Sequence, residues 1–228
     1  MKAIVLAAGR GERMRPLTDT TPKPLLPVAG KPLIGYHLEA LARAGIRDVV
    51  INLSWLGSCI RDALGDGGAY GVRITYSDEG PVALETGGGI FNALPLLGSG
   101  PFLVVNGDIW TDVDFSCLIL EPDALARLVL VVNPPQHPRG DFGLEGDFIV
   151  ERETDRFTYS GVGIYRPEFF AGCTPGKFPL LPLLKRAIAA RQLRGQLHRG
   201  DWSDVGTPER LAALESRVSP YNTAPCLT

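Results

Sequence analysis

The sequence predicts an α/β protein: a mixed, mostly parallel sheet flanked by helices, with a second half richer in strands. Three observations predict it. Short apolar runs at residues 2–8 and 102–105 end abruptly on Gly9 and on Asn106-Gly107-Asp108, as strands buried on both faces do. Segments of helical periodicity alternate with such runs, the mark of crossover connections between parallel strands. Beyond residue 128 the apolar segments are short and closely spaced, and helical periodicity returns only near the end.

Taken in order, residues 2–8 form the first strand, and a loop stiffened by Pro16, Pro22, Pro24 and Pro27 follows. Pro32 opens a helix at its first position; Leu33, Ile34, His37, Leu38 and Leu41 fall on one stripe, and Gly45 stops it. On that stripe His37 reads as a packed core residue. A strand at 48–53, a helix at 55–64 and a strand at 72–76 come next. A short helix at 89–97 is limited by Pro95, and the strand at 102–105 follows. In the second half, strands are expected at 128–132, 142–144, 148–150 and 157–165, with a helix at 180–191. Thr207 and Pro208 cap and open a last helix that runs to about residue 217. Residues 219–228 carry two prolines and no periodicity, the composition of a frayed tail. With no internal repeat or low-complexity linker, one domain over 1–218 is expected, its halves meeting near residue 110.

The 228 residues can bury one large core. A formal charge of −2 gives no general affinity for nucleic acid or anionic membrane. Between Arg10 and Lys31, however, five basic residues (Arg10, Arg13, Arg15, Lys23 and Lys31) face two acids, Glu12 and Asp19. A local positive field in a chain with no global one points to a small anionic ligand. The four cysteines are widely spaced and form no C-x-x-C pair, so zinc or thioredoxin chemistry is not expected and reduced thiols are. The apolar start is too short for a secretory signal, and no stretch approaches the roughly 20 apolar residues of a membrane span. A soluble, cytoplasmic protein is expected.

In an α/β sheet, ligands bind beyond the carboxyl ends of the strands, where Gly9 and Asp108 both fall. The string from Leu6 to Thr18, L-A-A-G-R-G-E-R-M-R-P-L-T, is followed by Pro22-Lys23-Pro24. Glycines after a buried strand let backbone N–H groups approach phosphate oxygens that a side chain would keep away. Arg13 offers a fork of donors to two phosphates, and Lys23 a point charge from a stiffened loop. A dinucleotide fingerprint would need glycine where Met14 stands, and no Walker motif is present. Leu84-Glu85-Thr86-Gly87-Gly88-Gly89 is a second glycine-rich stretch; it is either a flexible turn before a helix or a surface of exposed main-chain groups for a base edge. Asp108 by itself reads first as a turn former or cap and only second as a metal ligand; a second aspartate, Asp204 in Trp202-Ser-Asp204-Val-Gly206-Thr-Pro208, turns the balance toward a ligand pair, with plain capping as its alternative.

Together these strings resemble the signatures of the sugar-1-phosphate nucleotidyltransferase family, enzymes of Rossmann-like fold that make nucleotide-activated sugars, and the likeness runs from Lys2 to about Arg217. It implies a nucleotide-binding half over about 1–110 and a sugar-binding half over about 111–218. It implies that Leu6, Ala7, Ala8, Gly9, Gly11, Glu85, Thr86, Gly87, Gly88 and Asn106 bind the nucleotide, with Arg13 and Lys23 catalytic on its phosphates. Asp108 and Asp204 would share Mg²⁺, which favours a few carboxylates completed by phosphate and water. For the sugar side it implies Asp141, Gly143, Glu151, Arg152 and Gly161. Relatives have Glu-Lys-Pro where Glu151-Arg152 stands, and a surface charge cluster from Glu151 to Arg156 is an equal reading. The compact length, the Leu-Glu-Thr-Gly-Gly-Gly form and Asp141-Phe-Gly143 resemble the members that join UTP to N-acetylmuramic acid α-1-phosphate in bacterial cell-wall recycling. Alternatives are a mannose-1-phosphate guanylyltransferase and a non-catalytic relative that binds nucleotide-sugar and regulates a partner.

Overall fold

The computed structural model describes residues 1–222. Its elements in chain order are β1 (Lys2–Leu6), β2 (Pro27–Val28), β3 (Lys31–Pro32), α1 (Leu33–Arg43), β4 (Asp48–Leu53), α2 (Gly57–Leu64), β5 (Arg73–Asp78), α3 (Glu85–Leu97), β6 (Phe102–Asn106) and β7 (Ile109–Thr111). There follow β8 (Ala126–Val131), β9 (Phe142–Glu145), β10 (Phe148–Val150), β11 (Arg156–Tyr165), α4 (Leu181–Ala189), β12 (Leu193–His198), β13 (Trp202–Asp204) and α5 (Pro208–Asn222).

A nine-stranded sheet in the order β5-β4-β1-β6-β11-β8-β12-β10-β9 runs through both halves of the chain. Its first four strands are mutually parallel. Antiparallel β11 then joins β6 to β8 and turns the rest of the sheet mixed. The chain leaves β1 outward through β4 and β5 and returns on its other side as β6. That reversal creates a switch point, a crevice at the carboxyl ends of β1 and β6.

Burial on both faces accounts for the uninterrupted apolar strands. Ala3 and Val5 of β1 pack with Ile34, Leu38 and Leu41 of α1 on one face, whereas Ile4 packs with Ile90 and Ala93 of α3 on the other. Each fully buried Val, Leu or Ile side chain among these contributes about 1.5–3 kcal/mol. A third cluster joins the ends of the chain: Met14, Leu26, Val28 and Leu33 meet Val205, Leu214 and Val218. Helix α5 thereby holds down the loop that follows β1.

The structure departs from the sequence expectations in several places. Residues 84–89 are not a turn before a helix, because α3 begins at Glu85 and accommodates Pro95. The final helix continues to Asn222, so Ser219–Asn222 of the expected tail is helical, and the remainder of that tail, with Cys226, lies outside the described residues. Strand β12 and the short pair β7–β13 were not expected at all. Cys59, Cys117 and Cys173 are free thiols, and among the described residues no helix is long and apolar enough to cross a membrane.

His37 is buried, as its place on the α1 stripe predicts. Its Nε2 lies 2.8 Å from the carbonyl oxygen of Ile109, so the neutral ring donates there through Nε2–H. Burial lowers its pKa to about 4, against smaller opposing effects of the Ile109 carbonyl and Asp108. The unfolded chain protonates this residue near its ordinary 6.5, so His37 leaves stability intact above pH 6.5 and removes it progressively as pH falls toward 4. The full loss is on the order of 3 kcal/mol. Urea titrations across that range are expected to show the slope in the wild type and to lack this component in His37→Gln. Parallel pH profiles for the two would refute the assignment.

Candidate active site

At the switch point lies a cavity of about 430 Å³. Its walls come from four parallel strand ends and from the segments that follow them. From β1 and its loop come Leu6, Ala7, Ala8, Gly9, Gly11, Glu12, Arg13 and Met14; Lys23 and Pro24 close one side. Asn52 lies next to the end of β4, Glu79 follows β5, Ala83 precedes α3, Glu85 and Thr86 open it, Asn106 ends β6 and Asp108 follows it. Gly206, from the far end of the chain, completes the rim. The two glycine-rich stretches read from the sequence thus face one another across a single pocket.

Local physics explains the loop after β1. Gly11 has φ +66°, and a Cβ there would lie 3.0 Å from Thr18 Cγ2 and 3.3 Å from Lys23 Cβ. The Thr18 hydroxyl donates to the Gly11 carbonyl at 2.8 Å and closes the loop. Met14 is fully buried in the third cluster, while Arg13 beside it is exposed at the pocket wall. The residue that breaks a dinucleotide fingerprint is therefore the packed anchor of the loop that carries Arg13. Arg13 makes no hydrogen bond or ion pair with the described residues, so its five donors are available to a ligand.

Lys23 differs. It is 7% exposed, and its Nζ lies 2.7 Å from Asp108 Oδ2. Asp108 in turn is tied to the distant Asp204 segment: Asp204 pairs with Ile109 in the β13–β7 ladder, and the Val205 N–H donates to the Asp108 carbonyl at 2.8 Å. The Trp202 indole fixes β13 by donating to Ser160 O at 2.8 Å. The Asp204 carboxylate accepts from Arg210 on α5 and from Gln136. Neither Arg210 nor Gln136 stands out in the sequence; the one available sign was a basic residue in the first turn of a helix that Asp204 precedes.

Asp108 lines the cavity and Asp204 does not, although their backbones adjoin across the β13–β7 ladder; carboxylates such as these two are the ligands a hard divalent cation prefers. Both are partly exposed, at 45% for Asp108 and 29% for Asp204, and each is matched by a cation in the structure. The described residues assemble no group of three or more His, Cys, Asp or Glu side chains. A metal here would take its remaining oxygens from phosphate and water, as Mg²⁺ does.

The remaining candidates are placed as follows. Gly87 and Gly88 lie behind the pocket wall: a Cβ on Gly87 would sit 2.6 Å from the Phe178 ring, and one on Gly88 2.3 Å from Gly176 O. Close packing against residues 176–178 requires these glycines. Glu85, at the wall, has φ +61°, a left-handed conformation that costs a non-glycine residue on the order of 1–3 kcal/mol and is found at ligand clamps. Gly161 lies against Asn106, whose Nδ2 a Cβ would approach to 2.7 Å.

Asp141, Gly143, Glu151 and Arg152 lie outside the cavity wall. The Asp141 carboxylate accepts the Tyr159 N–H at 2.8 Å and faces His137 Nε2 at 3.0 Å. Glu151 pairs with Lys185 at 2.8 Å. Arg152 donates to the carbonyls of Leu144 and Asp155 and crosses the backbone of Gly143. Sequence reading missed Asn52 and Glu79, which line the pocket and are hydrogen-bonded at 2.6 Å. Burial raises the Glu79 carboxyl above its ordinary range, against the lowering effect of the bonds from Leu84 and Asn52.

A glycine-lined crevice at a sheet switch point, edged by free and paired cations and by carboxylates, suits a phosphate-bearing ligand. Residues 2–150 match the nucleotidyl transferase family, and the chain belongs to it. It is 57% identical to the N-acetylmuramate α-1-phosphate uridylyltransferase of Neisseria meningitidis serogroup B, over 97% of this chain and 100% of that protein. Identity to the enzyme of the same description from Caulobacter vibrioides is 39%, over 95% of this chain and 96% of that one. Among solved structures, a Bacillus anthracis chain in complex with a sucrose superposes with a TM-score of 0.85 at 22% identity, covering 96% of this chain and 95% of its own. HddC from Yersinia pseudotuberculosis, complexed with GMP-PN, gives 0.78 at 23% identity over 95% and 98% of the two chains.

Proposed function

We propose that this nucleotidyltransferase moves a uridylyl group from UTP to N-acetylmuramic acid α-1-phosphate, giving a UDP-sugar and pyrophosphate. The observation that carries this reading is the cavity at the β1/β6 switch point, which Arg13 and Lys23 line from the loop after β1 and Asp108 from the turn after β6. The two full-length relatives described as uridylyltransferases support the choice of base and sugar. The single sheet shared by both halves supports one domain over residues 1–218. The reaction belongs to cytoplasmic cell-wall recycling.

In the chemical step, an oxygen of the sugar phosphate attacks the α-phosphorus in line. A new P–O bond forms, the bond to the bridging oxygen breaks, and the electron pair leaves on pyrophosphate. No protein nucleophile is needed, so catalysis is positioning and charge neutralisation. The β1 end and its loop (Leu6, Ala7, Ala8, Gly9, Gly11) with Glu85, Thr86 and Asn106 hold the nucleotide, Gly87 and Gly88 backing the α3 wall. Arg13 meets the charge that grows on the phosphates, and Lys23 holds the same group from a buried site. Asp108 and Asp204 would hold Mg²⁺, which would supply further positive charge at the phosphates. On the sugar side, Gly161 lets the hexose lie along backbone beside Asn106, with Asp141 and Gly143 beyond. Glu151 reaches sugar hydroxyls only after leaving Lys185, and Arg152 a sugar phosphate only after leaving the carbonyls of Leu144 and Asp155.

The test is a coupled pyrophosphate-release assay with UTP and GTP crossed against several sugar 1-phosphates. UTP with N-acetylmuramic acid α-1-phosphate is expected to give the highest kcat/KM. Preference for GTP with mannose 1-phosphate would replace this substrate pair, and binding without turnover would make the chain a nucleotide-sugar sensor.

A further inference from the structure

Asn52 and Glu79 form a hydrogen-bonded chain that links the two walls of the cavity. The Ala7 N–H donates to Asn52 Oδ1 at 2.6 Å. Asn52 Nδ2 donates to Glu79 Oε1 at 2.6 Å, and Glu79 Oε2 accepts the Leu84 N–H, also at 2.6 Å. Ala7 belongs to the β1 wall, and Leu84 is the cap residue of α3, whose Glu85 and Thr86 form the opposite wall. Asn52 is 3% exposed. The structure gives Gly89 the same purpose: a Cβ there would lie 2.4 Å from Glu79 Oε1 and 2.9 Å from Asn52 Nδ2, so the third glycine of the run admits this pair and not a ligand.

We infer that Glu79 is a positioning residue for the triphosphate site, holding the Ala7 and Leu84 backbones at a set separation through Asn52. The inference deepens the proposed reading of this pocket as a nucleotide site and rests on it. Hydrogen-bond arithmetic explains why a carboxylate stands there. Glu79 must accept on both oxygens, and only an ionised carboxylate is an acceptor at both ends. A glutamine offers one acceptor and one donor, so its NH₂ would face either the Leu84 N–H or the Asn52 NH₂. Asn52 cannot relieve the conflict by flipping, because its oxygen is committed to Ala7.

The same arithmetic supplies a rescue. In Asn52→Asp with Glu79→Gln, the new carboxylate accepts from Ala7 and from the glutamine NH₂, while the glutamine oxygen accepts from Leu84. Every bond survives with one polarity reversed and the net charge unchanged. E79Q, N52D and the double variant are compared for KM, kcat and melting temperature with UTP, CTP, GTP and ATP, and the pattern is read on the triphosphate the wild type uses. Each single change is expected to raise KM for that triphosphate about tenfold or more, the factor that one unpaired buried polar group sets, with kcat held within about threefold. The double variant is expected to return KM to within about threefold of wild type, a coupling that independent sites do not show. If a single variant fails to fold, the double variant still must fold and bind as the wild type does. Single variants with wild-type KM, or a double variant no better than the worse single, would overturn the inference while leaving the pocket assignment standing. A wild type that prefers another triphosphate corrects only the substrate, and one that uses none of the four overturns both.

Discussion

Arg13→Ala is expected to lower kcat by about 10²-fold or more, the cost of removing one preorganised electrostatic donor from a developing charge. The structure explains why the change should be clean. Arg13 is exposed and makes no bond with the described residues, whereas Met14 next to it carries the packing that fixes the loop. Stability should stay within about 0.5 kcal/mol of wild type, as for surface positions away from packed features. Lys23 would not give so clean a test: it is buried against Asp108, and removing it leaves a carboxylate without its partner. The measurements are steady-state kinetics and thermal melts side by side. Wild-type kcat with a lowered melting temperature would assign Arg13 to structure.

The second large effect concerns Asp108 and Asp204. Asparagine is nearly isosteric with aspartate but loses the charge, leaving a weaker neutral oxygen for a cation that prefers carboxylates. Asp204→Asn is expected to raise the Mg²⁺ concentration for half-maximal rate and to lower the maximal rate. Manganese binding by electron paramagnetic resonance should weaken in parallel. The β13–β7 ladder and the Val205 N–H bond to Asp108 O are main-chain contacts and survive the change. Adding Asp108→Asn should cost far less than the product of the single effects, because residues that act as one unit are not additive. Losses that multiply independently, or activity that persists in EDTA, would refute a shared metal.

The residues a sequence reader could find are those whose chemistry is local. Gly9, Gly11, Arg13 and Lys23 lie within one loop, and phosphate binding needs glycine backbone and positive charge near each other along the chain. Asn52 and Glu79 gave no such sign. Each is an ordinary polar residue near the end of a strand; Asn52 takes its importance from partners 45 and 27 residues away, and Glu79 from Asn52 and from Leu84, five residues on. Arg210 was hidden for another reason: its partner Asp204 is only six residues away but precedes the helix on which Arg210 lies, so no helical spacing pairs them. The start of α3 was misread for an energetic reason. Three consecutive glycines are poor helix formers, yet Gly87, Gly88 and Gly89 are helical, and glycine stands there because Phe178, Gly176 and Glu79 approach too closely for any side chain. Strand β12, with Arg194, Gly195 and Gln196 at its centre, lacks the apolar pattern of its neighbours and is held by pairing with β8.

By itself, the sequence determined the class of fold and the glycine-rich, basic loop at the edge of the site, because apolar periodicity and a glycine-rich loop are properties of contiguous residues. Tertiary structure alone decided which carboxylates and amides converge on that site. The β13–β7 ladder brings Asp204 beside Asp108, α5 packs on the loop that carries Arg13, and Glu79 ties the entry of α3 to Ala7 through Asn52. Such contacts depend on distances across the sheet, and a chain read one residue after another does not contain them.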